Sequence, residues 1–283
     1  MHLPRSLLFN GILIFCLSCQ ETKFTGSTIK TKCQPQDTPH GVDVLILMDN
    51  STSLKINETD YLSSKNQNEG QKTFREQAVL NAFDELKNLD ENKPPEFHST
   101  LTMFTFTPEK IGGDRHSIPE DREIQLQFGL NDRTQLEKDI EFLRNPKGDT
   151  NYRNGFEYAL EWLNGLTKER PKLILMATDG LPTDAFPLES LSLLDELNEK
   201  QAIDVILITK KDQTLADITE EHQQYMNQNY PEDHWHGSNF TDYFQKLMKI
   251  PNLLFQKATV TMAPKIPKIV GEKVKQISKT CNK

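Results

Sequence analysis

The sequence predicts an α/β fold: a doubly wound, mainly parallel sheet with helices on both faces, Rossmann-like in its layering. Three observations lead there. Val44-Leu45-Ile46-Leu47-Met48 and Leu173-Ile174-Leu175-Met176-Ala177 are short runs with no polar break, and runs apolar on both faces suit the buried strands of a parallel sheet. Both stop at a carboxylate, Asp49 in one case and, after Thr178, Asp179 in the other. Strand-like and helix-like patterns alternate around them, as repeated βα units with right-handed crossovers require. Ligands of open α/β sheets sit beyond the carboxyl ends of the strands. The two acids are therefore aimed at one place.

The elements follow in order. Phe74, Ala78, Val79, Ala82, Phe83 and Leu86 mark one face of a helix. Leu101, Met103, Phe104 and Phe106 form the next strand, and Ile124, Leu126 and Phe128 alternate as a half-exposed edge strand does. Leu136, Ile140 and Leu143 mark a second helix, and Phe156, Ala159, Leu160 and Leu163 a third that leads into the strand ending at Asp179. After Pro182 come Leu188, Leu191, Leu194 and Leu197, then the strand Val205 to Ile208; Phe240, Tyr243, Phe244, Leu247 and Met248 are the last clear helix. A chain of 283 residues, 36% hydrophobic and 26% charged, agrees with one globular α/β domain, and no repeat at solenoid spacing is seen.

The loop after the first strand, Asp49-Asn50-Ser51-Thr52-Ser53, offers a carboxylate and two hydroxyls at alternate positions. Oxygen ligands of this kind suit a hard cation such as Mg²⁺, which is usually held by only one or two carboxylates. Gly148-Asp149-Thr150-Asn151, just ahead of a helical pattern, presents another hydroxyl. Taken singly, each piece reads as a turn or a helix cap. Three pieces in order, two of them at the ends of matched strands, read as a metal site.

These residues resemble the von Willebrand factor type A family, whose metal-ion-dependent adhesion site reads Asp-x-Ser-x-Ser, then a Thr in a glycine-led loop, then the Asp of a Thr-Asp-Gly turn. The match is Asp49, Ser51 and Ser53, then Thr150, then Asp179 in Thr178-Asp179-Gly180. It covers residues 41–255, with Asp149 where a second glycine is often found and a longer polar stretch from Lys55 to Lys72. The resemblance implies Mg²⁺ or Mn²⁺ bound directly by Ser51 and Ser53, directly or through water by Thr150, and mainly through water by Asp49 and Asp179. An ion held by so few charged direct ligands is short of negative charge. The implied partner is a protein that supplies a carboxylate, and the implied function is adhesion-type binding, not catalysis.

Residues 1–18, with Arg5 ahead of an apolar stretch from Leu7 to Leu17, read as a secretion signal too short to span a bilayer. The signal runs into Cys16-Leu17-Ser18-Cys19, which resembles the cleavage site of a bacterial lipoprotein, with Cys19 lipidated and the product anchored in the cell envelope. Ordinary cleavage near Ser18, giving a secreted or periplasmic protein, is the alternative. Residues 19–40 are then a linker. Cys33 and Cys281 remain in the exported part, and an even pair in an oxidising compartment is read as a disulfide, with two free thiols as the alternative. Many extracellular members of the resembled family are stapled in this way. Closing so long a loop contributes about 4–5 kcal/mol in the chain-entropy model.

Loss of Arg5 with the signal leaves 32 basic and 41 acidic side chains, a formal net of −9. Residues 257–283 hold seven lysines against Glu272 alone, so that basic C-terminal segment carries +6 and residues 19–256 carry −15. A body this acidic excludes ordinary nucleic-acid binding. The lysine segment reads as solvated and tied back by Cys281. His234-Trp235-His236 lacks a third nitrogen or a sulfur ligand nearby and reads as loop. No Gly-x-Ser-x-Gly elbow, Gly-x-Gly-x-x-Gly or phosphate loop is present, which removes the main nucleophile and nucleotide classes. Two other readings stay open. One is a metal-dependent hydrolase with Asp149 or Asp184 as base, and the other is an envelope component whose ion only stabilises loops.

Overall fold

A computed structural model describes residues 41–51, 54, 72–106, 123–127, 133–146, 150–166, 170–179, 187–201, 203–209, 213–214, 216–217, 220, 224 and 258–280. All lie in the contact unit Cys33–Lys283. Cys19, Cys33, Ser53, Asp149, Asp184, the His234–His236 stretch, the helix expected over 240–248 and Cys281 fall outside the described residues.

Every residue of β1, Asp43–Met48, is buried, as a strand with neighbours on both sides and helices on both faces must be. Its side chains alternate between two cores. Val44, Ile46 and Met48 join one, and Leu45 and Leu47 the other. Parallel partners flank it: β2 (Thr100–Thr105), with Met48 opposite Thr105, and β4 (Lys172–Thr178), with Met48 opposite Ala177. β5 (Ile203–Thr209) and β6 (Thr259–Met262) continue in parallel beyond β4, and β3 (Glu123–Gln127) closes the other side antiparallel to β2. The order β3-β2-β1-β4-β5-β6 is that of a doubly wound Rossmann-like sheet with one antiparallel edge. The expected fold class is the observed one. The β3 edge strand lies where the Ile124, Leu126 and Phe128 alternation predicts it.

One face is covered by α1 (Phe74–Asp90), α2 (Arg133–Asp139) and α5 (Ile266–Thr280), through Ala78, Val79, Phe83, Leu136, Ile266 and Val270. The other carries α3 (Tyr152–Gly165) and α4 (Pro187–Lys200), through Tyr152, Phe156, Leu194 and Leu197. α1 starts on a capping box: the Thr73 hydroxyl accepts from Glu76 N at 3.2 Å, and Thr73 N donates to the Glu76 carboxylate at 2.6 Å. The stripe Leu136, Ile140, Leu143 is buried as expected, but the helix breaks after Asp139 into a 3-10 turn, Glu141–Arg144. At the far pole the chain enters the sheet at Gly41. A Cβ there would stand 2.5–2.6 Å from Ser99 N, His98 C and Phe97 O, so the close backbone approach requires glycine.

The largest departure from expectation is at the C-terminal end. Residues beyond 255 read from sequence as a basic segment outside the domain, yet Thr259–Met262 pair with β5, and α5 buries Ile266, Val270 and Val274 against α1 and the sheet. Lys268 and Lys275 of this helix are exposed, as is Lys265 just ahead of it, and Lys273 donates to Asp204 at 2.8 Å. Among the described residues, no helix is long and apolar enough to cross a membrane.

Candidate metal centre

Strands β2, β1 and β4 end at the same level, because their registers bring Thr105, Met48 and Ala177 side by side. The sheet order reverses between β1 and β4, and that switch point is where a doubly wound sheet opens a crevice. Asp49 and Thr178 follow immediately on the two sides of it, and Asp49 N continues the pairing by donating to the Ala177 carbonyl at 2.9 Å.

The Asp49 carboxylate is fully buried. Its Oδ1 accepts from Ser51 N at 2.8 Å, a local turn that folds the loop back over the strand end. Its Oδ2 accepts from the Thr178 hydroxyl at 2.6 Å and from the Thr150 hydroxyl at 3.3 Å. Ser51, itself buried, places its Oγ 3.5 Å from Asp179 Oδ1. Thr150 is carried in by a tether: Asn151 N donates to the Phe106 carbonyl at 3.0 Å, just past the end of β2. Asn151 also caps α3, its side chain accepting from Asn154 N at 3.2 Å. Residues 49, 51, 150 and 179 thus meet within one network, although about 100 positions or more separate the first loop from the other two.

Two carboxylates and two hydroxyls make an all-oxygen donor set, the chemistry of a site for a hard divalent cation. Among the described residues, no three His, Cys, Asp or Glu side chains gather to offer an alternative of nitrogen, sulfur or all-carboxylate type. The electrostatics agree. Burial pushes the Asp49 carboxyl above the ordinary carboxylate range, against the hydrogen bonds from Thr178 and Ser51 and the Arg75 charge, which pull it down. A desolvated acid of this kind is relieved by a cation beside it. Asp49, Ser51, Thr150 and Asp179 are the described residues that could hold one.

Three residues at the site were not singled out from sequence for a role there. Thr178 anchors Asp49. Tyr152, buried in the first turn of α3, holds its hydroxyl 3.5 Å from Thr178 Oγ1. Arg75 donates to the Asp49 carbonyl at 3.0 Å and to Asn50 Oδ1 at 2.6 Å. The last had a legible signal: Arg75, Val79 and Phe83 recur at a spacing of four, which puts a lone cation on the apolar face of a helix.

The sequence matches no protein-family model and no curated protein. Solved structures do match. The pilus adhesin SpaC of Lactobacillus rhamnosus GG, in its open conformation, aligns with a TM-score of 0.54 at 14% identity, over 86% of this chain and 30% of that one. A mussel byssus protein, proximal thread matrix protein 1 with a zinc-occupied metal-ion-dependent adhesion site, aligns at 0.43 and 16% identity over 85% and 46%. The VWA domain of SpRpn10 aligns at 0.42 and 15% over 83% and 94%. This chain therefore spans about a third of the length of the pilus adhesin that it resembles. At such identities the SpaC match carries the fold alone, and the fold is a doubly wound α/β sheet with the candidate centre at its switch point.

Proposed function

We propose that the chain is an exported adhesion-type module of the von Willebrand factor A kind, which holds Mg²⁺ or Mn²⁺ and uses it to grip an acidic residue of a protein partner. The observation that carries this reading is the convergence of Asp49, Ser51, Thr150 and Asp179 at the switch point, around a carboxylate that burial leaves in need of a cation. Bound there, the ion would supply a positive centre short of charged ligands. The chain's own part is to hold that centre still. Thr178 and the Ser51 amide fix both oxygens of Asp49, and the Phe106–Asn151 tether presents Thr150.

The buried acid of the centre, Asp49, is engaged on both oxygens and so serves as a fixed part of the site and not as a base, which supports the binding reading. The shared fold with a protein whose name is pilus adhesin agrees with a surface role. Export by residues 1–18, lipidation of Cys19 and a Cys33–Cys281 disulfide belong to the same proposal, on the sequence grounds given above. The test is capture of a partner from envelope or host-surface extracts with and without EDTA. Retention only with metal, weakened by Thr150→Ala, is the expected result. Equal retention in EDTA would overturn the metal-dependent grip.

A further inference from the structure

We propose that Arg75 is a positioning residue of this centre, a strut that fixes the loop after β1 against the segment leading into the Thr150 loop. The side chain is fully buried, one of the largest among the described residues to be so. One end of the guanidinium, Nη1, donates to the Asp49 carbonyl at 3.0 Å and to Asn50 Oδ1 at 2.6 Å. The other, Nη2, donates to the Leu143 carbonyl at 2.6 Å. Leu143 belongs to the 3-10 turn Glu141–Arg144, from which the chain runs directly to Thr150. The next residue along α1 grips the same turn, since the buried Glu76 carboxylate accepts from Arg144 Nε at 3.0 Å.

The first turn of α1 therefore holds the loop after β1 and the 3-10 turn Glu141–Arg144 at once, and Arg75 touches both. Burying a guanidinium is costly, and an apolar side chain of similar volume would fill the space at lower cost. What the apolar side chain could not do is bridge acceptors on opposite sides. The planar fork of arginine does this, and a lysine ammonium, a single point on a flexible stem, does not. Groups that orient ligands from behind in this manner typically govern metal affinity by 10- to 100-fold.

The guanidinium charge works the other way, since it repels a bound cation. Arg75→Lys separates the two effects: the charge stays and the bridge is cut. This inference rests on the metal-centre reading, and the experiment keeps their failures apart. Mn²⁺ affinity is measured by calorimetry, with the electron paramagnetic resonance line shape of the bound ion alongside, for the intact chain, Arg75→Lys, Asn50→Ala and Thr73→Ala. Thr73→Ala breaks the capping box at the same helix start and serves as the control for lost stability alone.

Arg75→Lys is expected to weaken Mn²⁺ at least tenfold and to broaden the bound-ion spectrum, while Thr73→Ala stays within twofold of the intact chain. Asn50→Ala, which removes one acceptor and leaves the arginine in place, is expected to weaken Mn²⁺ by threefold or more and carries the test if Arg75→Lys does not fold. Tight binding by the intact chain with Arg75→Lys and Asn50→Ala within twofold overturns the strut. Equal weakening in Arg75→Lys and Thr73→Ala overturns it too, since the effect is then one of stability. No Mn²⁺ binding by the intact chain overturns the centre itself.

Discussion

Replacing Thr178 by Val tests the innermost contact of the site. The two side chains have nearly the same shape, so no cavity is opened, and the position is fully buried. What is lost is the 2.6 Å hydrogen bond to Asp49 Oδ2. Bonds to charged acceptors contribute about 1.5–3 kcal/mol, more than neutral ones. The metal-free protein should lose that amount, which for a domain of this size is a fall in Tm of about 3–12 °C. Thr209→Val is the matched control, because its hydroxyl makes a neutral bond of 3.4 Å to the Thr261 carbonyl at the end of β5. The control should lose under about 1 kcal/mol.

The pH dependence follows from the Asp49 shift. Burial raises its folded pKa above the ordinary aspartate range, so between the unfolded and folded values the native state holds the extra proton and stability falls as pH rises. Loss of the Thr178 donor raises the folded pKa further. The deficit of Thr178→Val should thus be complete above that window and shrink as the pH is lowered through it. Urea titration in EDTA at several pH values is the assay. A loss under about 0.5 kcal/mol at pH 7, or one that does not exceed that of Thr209→Val, would refute the role given to Thr178.

Gly41→Ala should cost more than about 2 kcal/mol in urea unfolding, because the added methyl meets three backbone atoms at 2.5–2.6 Å and none of them is a side-chain end that can swing away. Glu76→Gln should cost about 1–2 kcal/mol, since it weakens the pair with Arg144, whose side chain is 28% exposed and so partly screened. That loss should diminish in high salt, and a salt-independent loss would point to packing instead. Peptide mass mapping without reduction should recover Cys33 joined to Cys281, and finding both thiols alkylatable in native protein would remove the staple. Cys19→Ser should leave an unprocessed precursor that takes up no fatty-acid label; normal cleavage would favour simple secretion.

The central strands were legible because burial on both faces leaves a composition that little else produces: Val44–Met48 and Leu173–Ala177 are apolar at every position and stop at an acid. The edge strand was legible for the opposite reason, since Ile124, Leu126 and Phe128 alternate. α5 was not, because residues 257–283 hold seven lysines against one acid while the buried apolar side chains of the helix, Ile266, Val270 and Val274, recur only at every fourth position. The period was present, but the charge hid it. At the site, the acids and hydroxyls could be named from their order along the chain. Their supports Thr178 and Tyr152 could not, since they act through tertiary contacts with partners up to 129 positions away, and of Arg75 only its place on the apolar face of α1 was legible, not the acceptors that it reaches. Ser53 lies outside the described residues, so its part in the centre remains the proposal drawn from the resemblance.

The most direct test of the account is calorimetric titration of Mg²⁺ and Mn²⁺ into the intact chain, Ser51→Ala and Asp179→Ala, with thermal unfolding of each recorded in EDTA. Asp179 is half-buried and Ser51 offers a small hydroxyl, so neither substitution should disturb the folded core. The account predicts one site in the intact chain, affinity reduced at least tenfold in both variants, and unfolding temperatures in EDTA within a few degrees of one another. An intact chain that binds neither ion, or variants that bind as tightly as it does, would contradict the assignment of the centre.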